Sequence, residues 1–266
     1  MTSSTLDPMH PISDWSQDDW LETLTRGMNP AQALAVSITE GPLLILAGAG
    51  SGKTRVLTHR IAYILASKRA RRHQIMAVTF TNKAAKEMAE RIEHLCGSGR
   101  FADLGTFHSV CARWLRREAD QLGISPQFAI YATAEQLIVM KESIRELGLD
   151  DKKFTPRGIL SMVSSWKNQM LQVSEVKQRA RNPFDQHCAE IYGLYQRKLA
   201  QNQALDFDDI LLKAVEMLQR FPEIRERYQE RLRYVLVDEY QDVNAVQYEL
   251  LRLLSGKHRN LCAVGD

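Results

Sequence analysis

Short uninterrupted apolar runs alternate with amphipathic stretches along this chain. A run of four to six apolar residues is typical of a strand buried on both faces, as in a parallel sheet covered by helices. Such runs predict strands at 43–46, 75–80, 234–238 and 261–266. The stretch RVLTHRIAYIL after the first run predicts a helix, because its apolar residues recur at helical spacing. The pattern therefore predicts an α/β fold with a parallel sheet flanked by helices.

Between about residues 111 and 205 the strand signals stop and only helix signals remain. Two helix starts are marked by a capping residue followed by proline, namely Thr155 with Pro156 and Asn182 with Pro183. Proline suits the first helical position, because the N–H that it lacks has no partner there in any case. Since two of the predicted strands follow this block, we expect an all-helical insertion that splits the α/β core.

The distribution of charge is more informative than its total. The 266 residues carry a formal net charge of +3, and 44% of them are apolar, which is enough for a core. Residues 51–120 contain 14 Lys or Arg but only 6 Asp or Glu. This surplus suits a polyanionic partner, although a solvated basic face is the simpler explanation.

Composition disfavours several classes of protein. No stretch of about 18 apolar residues occurs, so we expect no membrane span. The first 20 residues lack the basic and apolar blocks of a signal peptide, and we therefore expect a cytoplasmic protein. The four cysteines are far apart and form no C-x-x-C pair, which disfavours a zinc site or a disulfide framework.

The sequence AGAGSGKT at 47–54 joins the first predicted strand to the first predicted helix. Its three glycines allow backbone N–H groups to turn inward around a phosphate chain, next to the positive end of the helix. Lys53 is then expected to reach the β and γ phosphates, and the Thr54 hydroxyl to hold Mg²⁺. The usual first glycine of this motif is Ala47 here.

The sequence YVLVDEYQD supplies acidic partners for such a loop. Asp238 ends a predicted buried strand, where open α/β sheets bind ligands, and is expected to hold Mg²⁺ through water. Glu239 is placed to take a proton from an attacking water. Two acids after an apolar run also suit a helix cap, but pairing with the phosphate loop favours nucleotide chemistry. In DFDDIL, by contrast, we expect Asp206 to be a helix cap rather than a metal ligand.

Six motifs in order resemble those of the UvrD/Rep/PcrA-type DNA helicases of superfamily 1. They are MNPAQ, AGAGSGKTR, VTFTNKAAKEM, GTFHSV, DFDDIL and VDEYQD. In this family the phosphate loop begins with alanine, so Ala47 fits the resemblance. A RecA-like P-loop NTPase fold, with ATP and Mg²⁺ as ligands, is what the resemblance implies.

The resemblance also implies roles for individual residues. Gln32 would bond the adenine edge and Arg55 would lie against the adenine ring, while Lys53, Asp238 and Glu239 would be catalytic. The residues expected to bind nucleotide are Gln32, Ala47, Gly48, Ala49, Gly50, Ser51, Gly52, Lys53, Thr54 and Arg55. The residues expected to contact single-stranded DNA are Thr79, Phe80, Asn82, Thr106, Phe107 and His108. For Phe80, Phe107 and His108 a simple packing role stays open.

The family architecture implies a domain division. It comprises a RecA-like ATP-binding subdomain 1A at 17–110 and 206–266 and a helical subdomain 1B at 111–205. The polar sequence at 1–16 predicts a flexible tail before them. Subdomains 2A and 2B, with their γ-phosphate arginines, would be missing, because the sequence stops at VGD inside a family motif. We therefore expect this piece alone to bind Mg-ATP poorly and to hydrolyse it near background.

The resemblance implies a parent that translocates 3′ to 5′ on single-stranded DNA and unwinds duplexes from single-strand/duplex junctions, in repair or replication restart. Two alternatives stay open. The piece could be a nucleotide- and DNA-binding module without turnover, or the motor part of a helicase-nuclease. A GTPase or transporter ATPase is disfavoured, because TNKAA lacks the aspartate of N-K-x-D and no L-S-G-G-Q occurs.

Overall fold

A computed structural model of the chain describes residues 17–48 and 50–266. The tail expected at 1–16 and Ala49 of the expected nucleotide site therefore lie outside the described residues. The strands are β1 (Leu43–Leu46), β2 (Ile75–Thr79), β3 (Asp103–Thr106), β4 (Ala129–Tyr131), β5 (Ala204–Asp206), β6 (Tyr234–Val237) and β7 (Leu261–Gly265). All four strands predicted from apolar runs are present, so the α/β prediction is confirmed.

The α-helices of the described residues are numbered in chain order. They are α1 (Gln17–Thr25), α2 (Pro30–Ser37), α3 (Lys53–Ala66), α4 (Asn82–Cys96), α5 (Phe107–Arg117), α6 (Ala119–Leu122), α7 (Thr133–Glu146), α8 (Pro156–Asn168), α9 (Val173–Arg179), α10 (Pro183–Gln201), α11 (Phe207–Arg220), α12 (Pro222–Arg231) and α13 (Ala245–Ser255). Within this part of the chain, no helix is long and apolar enough to cross a membrane.

The chain divides into two compact units, each with its own core. The first contains residues 17–104, 231–241 and 258–266, and the second contains 105–230 and 242–257. These bounds differ from the subdomain bounds expected from the sequence, because α11 packs against α5 and α13 and so belongs to the second unit. The division into subdomains 1A and 1B stays a prediction.

A five-stranded sheet in the order β1-β7-β6-β2-β3 carries the first unit. The pairs β1 with β7, β7 with β6 and β6 with β2 are parallel. Every residue of β2 and β6 is buried, and Leu57 and Ile61 of α3 and Met88 of α4 pack in the same cluster as these strands. The sheet therefore has the apolar, covered strands that parallel sheets require.

The edge strand β1 corrects one expectation. We expected 43–46 to be buried, but Leu44 is 56% and Leu46 is 68% exposed. Among the described residues β1 pairs only with β7, and its side chains alternate between half-buried and exposed. An edge strand need cover only one face, so an apolar run of four residues does not by itself establish burial on both.

The second unit is mainly helical and has a core around α7, α8 and α10. Asn182 caps α10 by accepting a hydrogen bond from the Asp185 N–H, as predicted, whereas Thr155 makes no side-chain cap to α8. The expectation of an all-helical insertion is wrong, because β4 and β5 form a two-stranded parallel sheet. Each of these strands has only three residues, too few to give a strand pattern in the sequence.

A buried ion cluster joins α8 to the start of α11. Asp206 caps α11 and forms a capping box with Asp209, which confirms the cap interpretation of DFDDIL. The side chain of Lys167 is completely buried, and its Nζ lies 2.6 Å from Asp206 Oδ2 and 2.8 Å from Asp209 Oδ1. Tyr195 donates to Asp206 and Gln196 donates to Asp209, each at 2.9 Å. These hydrogen bonds compensate both carboxylates for the loss of water.

One cation serves two carboxylates in this cluster. Burial and the charge of Asp209 raise the pKa of Asp206 to about 6, while Lys167 acts in the opposite direction. Burial also penalises the charge of Asp209, but the charge and hydrogen bond of Lys167 outweigh that penalty and lower its pKa. The ammonium of Lys167 is therefore the group that keeps this site ionised.

Replacing Lys167 tests this assignment through the pH dependence of stability. Lys167→Met removes the cation, and we expect the free energy of unfolding to fall by about 3 to 5 kcal/mol at pH 8. Without Lys167 the folded-state pKa values of both carboxyls rise above their unfolded values. The variant should therefore regain stability relative to the parent as the pH falls from 8 to 5, because folding then takes up protons. Urea unfolding at both pH values measures the difference.

Lys177→Met, at an exposed position of α9, is the matched control and should change stability by less than about 0.5 kcal/mol. A loss at Lys167 that is equally large at pH 8 and pH 5 would contradict the assignment.

Candidate nucleotide site and DNA-contacting residues

The phosphate loop lies between β1 and α3 in the first unit. Gly50 and Gly52 have φ values of 75° and 85°, in the left-handed region that favours glycine, and Gly52 is the N-cap of α3. A Cβ added at Gly48 or Gly50 would meet no atom within 4 Å, so space is open beside the loop. Ala47 N–H donates to the Gly265 carbonyl at 3.0 Å, which fixes the start of the loop to the end of β7.

Lys53, the first residue of α3, has an anionic partner. Its Nζ donates to the Ala47 carbonyl at 2.8 Å and contacts the carboxylate of Asp266, which follows β7. The side chain of Lys53 is only 10% exposed, so its ammonium lies within the loop rather than in solvent. A carboxylate and a phosphate offer the same kind of acceptor oxygen, and the position therefore fits phosphate binding.

Thr54 and Asp238 are brought together from positions 184 residues apart. The Thr54 hydroxyl donates to Asp238 Oδ2 at 3.2 Å, and Asp238 is 3% exposed at the end of β6. Burial raises the pKa of Asp238, with the Thr54 hydroxyl and the charge of Lys53 acting against it. A hydroxyl and a carboxylate are the oxygen ligands that Mg²⁺ prefers, so this pair fits a magnesium ion.

Glu239 has an unusual backbone conformation. Its φ is 53°, a left-handed value that is uncommon for a non-glycine residue and costs about 1 to 3 kcal/mol. The Glu239 N–H donates to Asp238 Oδ1 at 3.1 Å, and its side chain accepts from Gln241 Nε2 at 2.7 Å. Gln241 was not predicted from the sequence, because no local pattern shows that its side chain reaches back two residues.

Gln32 contacts the loop, whereas Arg55, which follows Thr54 in α3, contacts the chain just after α1. Gln32 Nε2 donates to the Ser51 carbonyl at 2.8 Å, and Gln32 Oε1 accepts from the Asn29 N–H in a capping box of α2. Arg55 donates to the Arg26 carbonyl at 3.0 Å. A glutamine amide has two N–H donors and two acceptor lone pairs, so Gln32 keeps one of each for a ligand. The adenine contacts expected of Gln32 and Arg55 stay predictions.

Three of the predicted DNA contacts lie at the end of β2 or just after it in the first unit. The Thr79 side chain is 1% exposed, Phe80 is half-buried, and Asn82 is exposed at the start of α4. Thr81 caps α4 by accepting from the Ala84 N–H, which sets the direction of the chain after Phe80. Phe80 and Asn82 are therefore accessible to a ligand, whereas the Thr79 side chain is not.

The other three predicted contacts lie at the start of α5 in the second unit. Thr106 caps this helix, and Phe107 is 1% exposed, so the Phe107 ring is a core residue and is not available to a base. His108 is half-buried and meets Phe207 edge to face, with ring centroids 5.5 Å apart. Burial lowers the pKa of His108, with Asp208 acting the other way, which favours a neutral ring at pH 7.

Phe207 is a candidate that the sequence analysis missed. It is 46% exposed although it is a large aromatic residue at the first position of α11. An exposed aromatic ring beside a neutral histidine suits stacking on a base. The only sequence signal was an aromatic residue inside the polar capping motif DFDD, which the capping interpretation did not use.

Comparison with known proteins places these sites in context. A family model described as the UvrD/REP helicase N-terminal domain matches residues 28–266. The ATP-dependent DNA helicase PcrA of Bacillus subtilis is 50% identical over 246 residues, which are 91% of this chain and 33% of that protein. PcrA proteins of Staphylococcus epidermidis and Staphylococcus aureus are 47% and 46% identical over 92% of this chain. The chain spans about a third of the length of these relatives.

Proposed function

We propose that this chain, which belongs to the UvrD/REP helicase family, is the ATP-binding part of a DNA helicase motor. The observation that carries the proposal is the hydrogen bond between Thr54 of the phosphate loop and Asp238 after β6. Relatives that are named ATP-dependent DNA helicases support it. Because the chain spans about a third of those relatives, the activity of the whole protein is part of the proposal.

In the proposed site the loop binds the phosphates of ATP. Backbone N–H groups at Gly50 and Gly52 and the start of α3 supply donors and a partial positive charge. Lys53 exchanges the Asp266 carboxylate for phosphate oxygens, and Gln32 and Arg55 lie where the base can be held. Mg²⁺, held by Thr54 and Asp238, would neutralise phosphate charge.

Glu239 is the proposed general base. Its carboxylate follows the proposed metal ligand directly, and its second oxygen is able to accept a proton from water. Asp238 is buried and accepts a hydrogen bond from Thr54, whereas Glu239 is half-buried and therefore more accessible to water. The two acids therefore suit different tasks, one holding the metal and the other accepting the proton.

Single-stranded DNA is the proposed second ligand. In the first unit Phe80 and Asn82 offer an aromatic ring and a polar group, and in the second unit His108 and Phe207 form an edge-to-face aromatic pair. Stacking on aromatic rings binds bases of any sequence, as translocation requires. The excess of basic residues between 51 and 120 supports the same proposal.

Finer aspects of the proposal follow the family resemblance. We propose 3′ to 5′ movement, action at single-strand/duplex junctions, and a role in repair or replication restart in the cytoplasm. Subdomains 2A and 2B would complete the site. A binding module without turnover and the motor of a helicase-nuclease are the alternatives.

ATP turnover tests the proposed roles of Glu239 and Lys53 in the full-length helicase that contains this chain. Glu239→Gln should keep ATP binding and lower kcat by about 100-fold or more, because it removes the general base. Lys53→Ala should weaken both binding and turnover, since its charge contacts the phosphates. DNA-stimulated ATPase assays and equilibrium nucleotide binding measure the two effects. The exposed residue Glu223 of α12 provides the control Glu223→Gln, which should behave as the parent. Normal turnover in Glu239→Gln would contradict the proposal.

Single-strand affinity and stability together test Phe80. Phe80→Ala should weaken binding of single-stranded DNA by about 1 to 3 kcal/mol, because a stacking surface is lost. Thermal stability should change little. Phe107→Ala is the matched comparison, and we expect it to lower the free energy of unfolding by about 3 to 5 kcal/mol, since Phe107 is a core residue. A large stability loss in Phe80→Ala with unchanged affinity would assign Phe80 to the core instead.

A further inference from the structure

The turn after β6 forms a small assembly around Glu239. Residues Tyr240–Asp242 form one turn of 3₁₀ helix, which is entered through the left-handed conformation of Glu239. This conformation is held by the bond from the Glu239 N–H to Asp238 Oδ1. This bond restrains the backbone of Glu239. The side chain of Glu239 has several rotatable bonds, so a separate contact is required to hold its carboxylate in one orientation.

Gln241 is that partner and is itself anchored. Its Nε2 donates to Glu239 Oε2 at 2.7 Å, and its Oε1 accepts from the Asp266 N–H at 3.3 Å. The carboxamide therefore bridges the Glu239 carboxylate and the backbone that follows β7. A glutamine amide is suited to this bridge, because it has a donor at one end and an acceptor at the other.

Gly265 provides an independent sign that this contact is built into the fold. A Cβ at Gly265 would lie 2.8 Å from Gln241 Oε1 and 3.3 Å from the Gln241 backbone nitrogen. The second of these atoms is backbone and cannot move away by a rotamer change. A side chain at the end of β7 would therefore require the turn carrying Gln241 to shift by a few tenths of an ångström.

We propose that Gln241 is a positioning residue for Glu239, holding one carboxylate oxygen so that the other faces the attacking water. This inference rests on the proposed ATPase function and on Glu239 as its general base. A neutral amide orients a carboxylate without neutralising it, whereas a lysine or arginine would pair with its charge and weaken it as a base. Correct placement of a base contributes to the rate, because small displacements of reacting groups are costly.

The test uses Gln241→Met in the full-length helicase, since methionine keeps the length of the side chain but removes both hydrogen bonds. We expect kcat to fall by about 10- to 100-fold, as is typical when a partner that orients a functional group is lost. KM and nucleotide affinity should stay within about threefold. The Gln241 side chain hydrogen-bonds to Glu239 and Asp266, and neither is a predicted nucleotide-binding residue. The control Gln186→Met, at an exposed position of α10, should behave as the parent.

A double-mutant cycle with Glu239→Gln separates positioning from general damage. If Gln241 acts through Glu239, then Gln241→Met should add less than about twofold to the loss already caused by Glu239→Gln. Multiplying losses, or an unchanged kcat in Gln241→Met, would overturn the inference. Normal turnover in Glu239→Gln alone would overturn the proposed function as well, so the two failures are distinguishable.

Gly265→Ala provides a second variant that leaves Gln241 itself in place. Its added methyl group should displace the turn, and we expect kcat at saturating ATP to fall. KM is not the readout for this variant, because the Gly265 carbonyl also accepts from Ala47 at the start of the phosphate loop. A fully active Gly265→Ala protein would show that the close approach is unnecessary and would count against the proposal.

Discussion

The hydrogen bond from Thr54 to Asp238 is the constraint on which the proposed nucleotide site depends. It joins the residue after the phosphate-loop lysine to the acid that ends β6, although 184 residues separate them. The sheet makes this possible, because β7 alone separates β1 from β6 and all three strands run parallel. Their carboxyl ends therefore meet at one edge, where α/β sheets bind ligands. At the same edge, the Ala47 N–H donates a hydrogen bond to the Gly265 carbonyl, and the Lys53 ammonium contacts the Asp266 carboxylate.

The second unit contains a buried ion cluster of Lys167, Asp206 and Asp209. Its helices bury a lysine and two aspartates in one cluster, and each carboxylate is satisfied by Lys167 and by a further hydrogen bond. Such a cluster is weak evidence for stability in itself, because desolvation offsets much of the attraction. Removing any one of these partners would leave a buried charge without full compensation. The motif DFDDIL therefore contributes both a helix cap and the acidic half of this cluster.

Local patterns in the sequence predicted the sheet and indicated the candidate site, because each depends on short contiguous signals. Four apolar runs became strands, and the loop and its acidic partner were recognised from residue type and spacing. Features that depend on distant contacts were missed. Lys167 gives no local sign that it meets acids about 40 residues away, and the reach of Gln241 to the end of β7 is equally invisible. Burial was also misjudged at Leu44, because sheet position rather than composition makes β1 an edge strand.

In the proposed site, Thr54 and Asp238 together hold the metal that accompanies ATP. Electron paramagnetic resonance with Mn²⁺ in place of Mg²⁺ tests it most directly, by titrating the metal into the protein with a non-hydrolysable ATP analogue. We predict nucleotide-dependent Mn²⁺ binding in the parent that weakens by about tenfold or more in Asp238→Asn and in Thr54→Val, the range found when groups supporting a metal site are lost. Unchanged Mn²⁺ affinity in both variants would contradict the account.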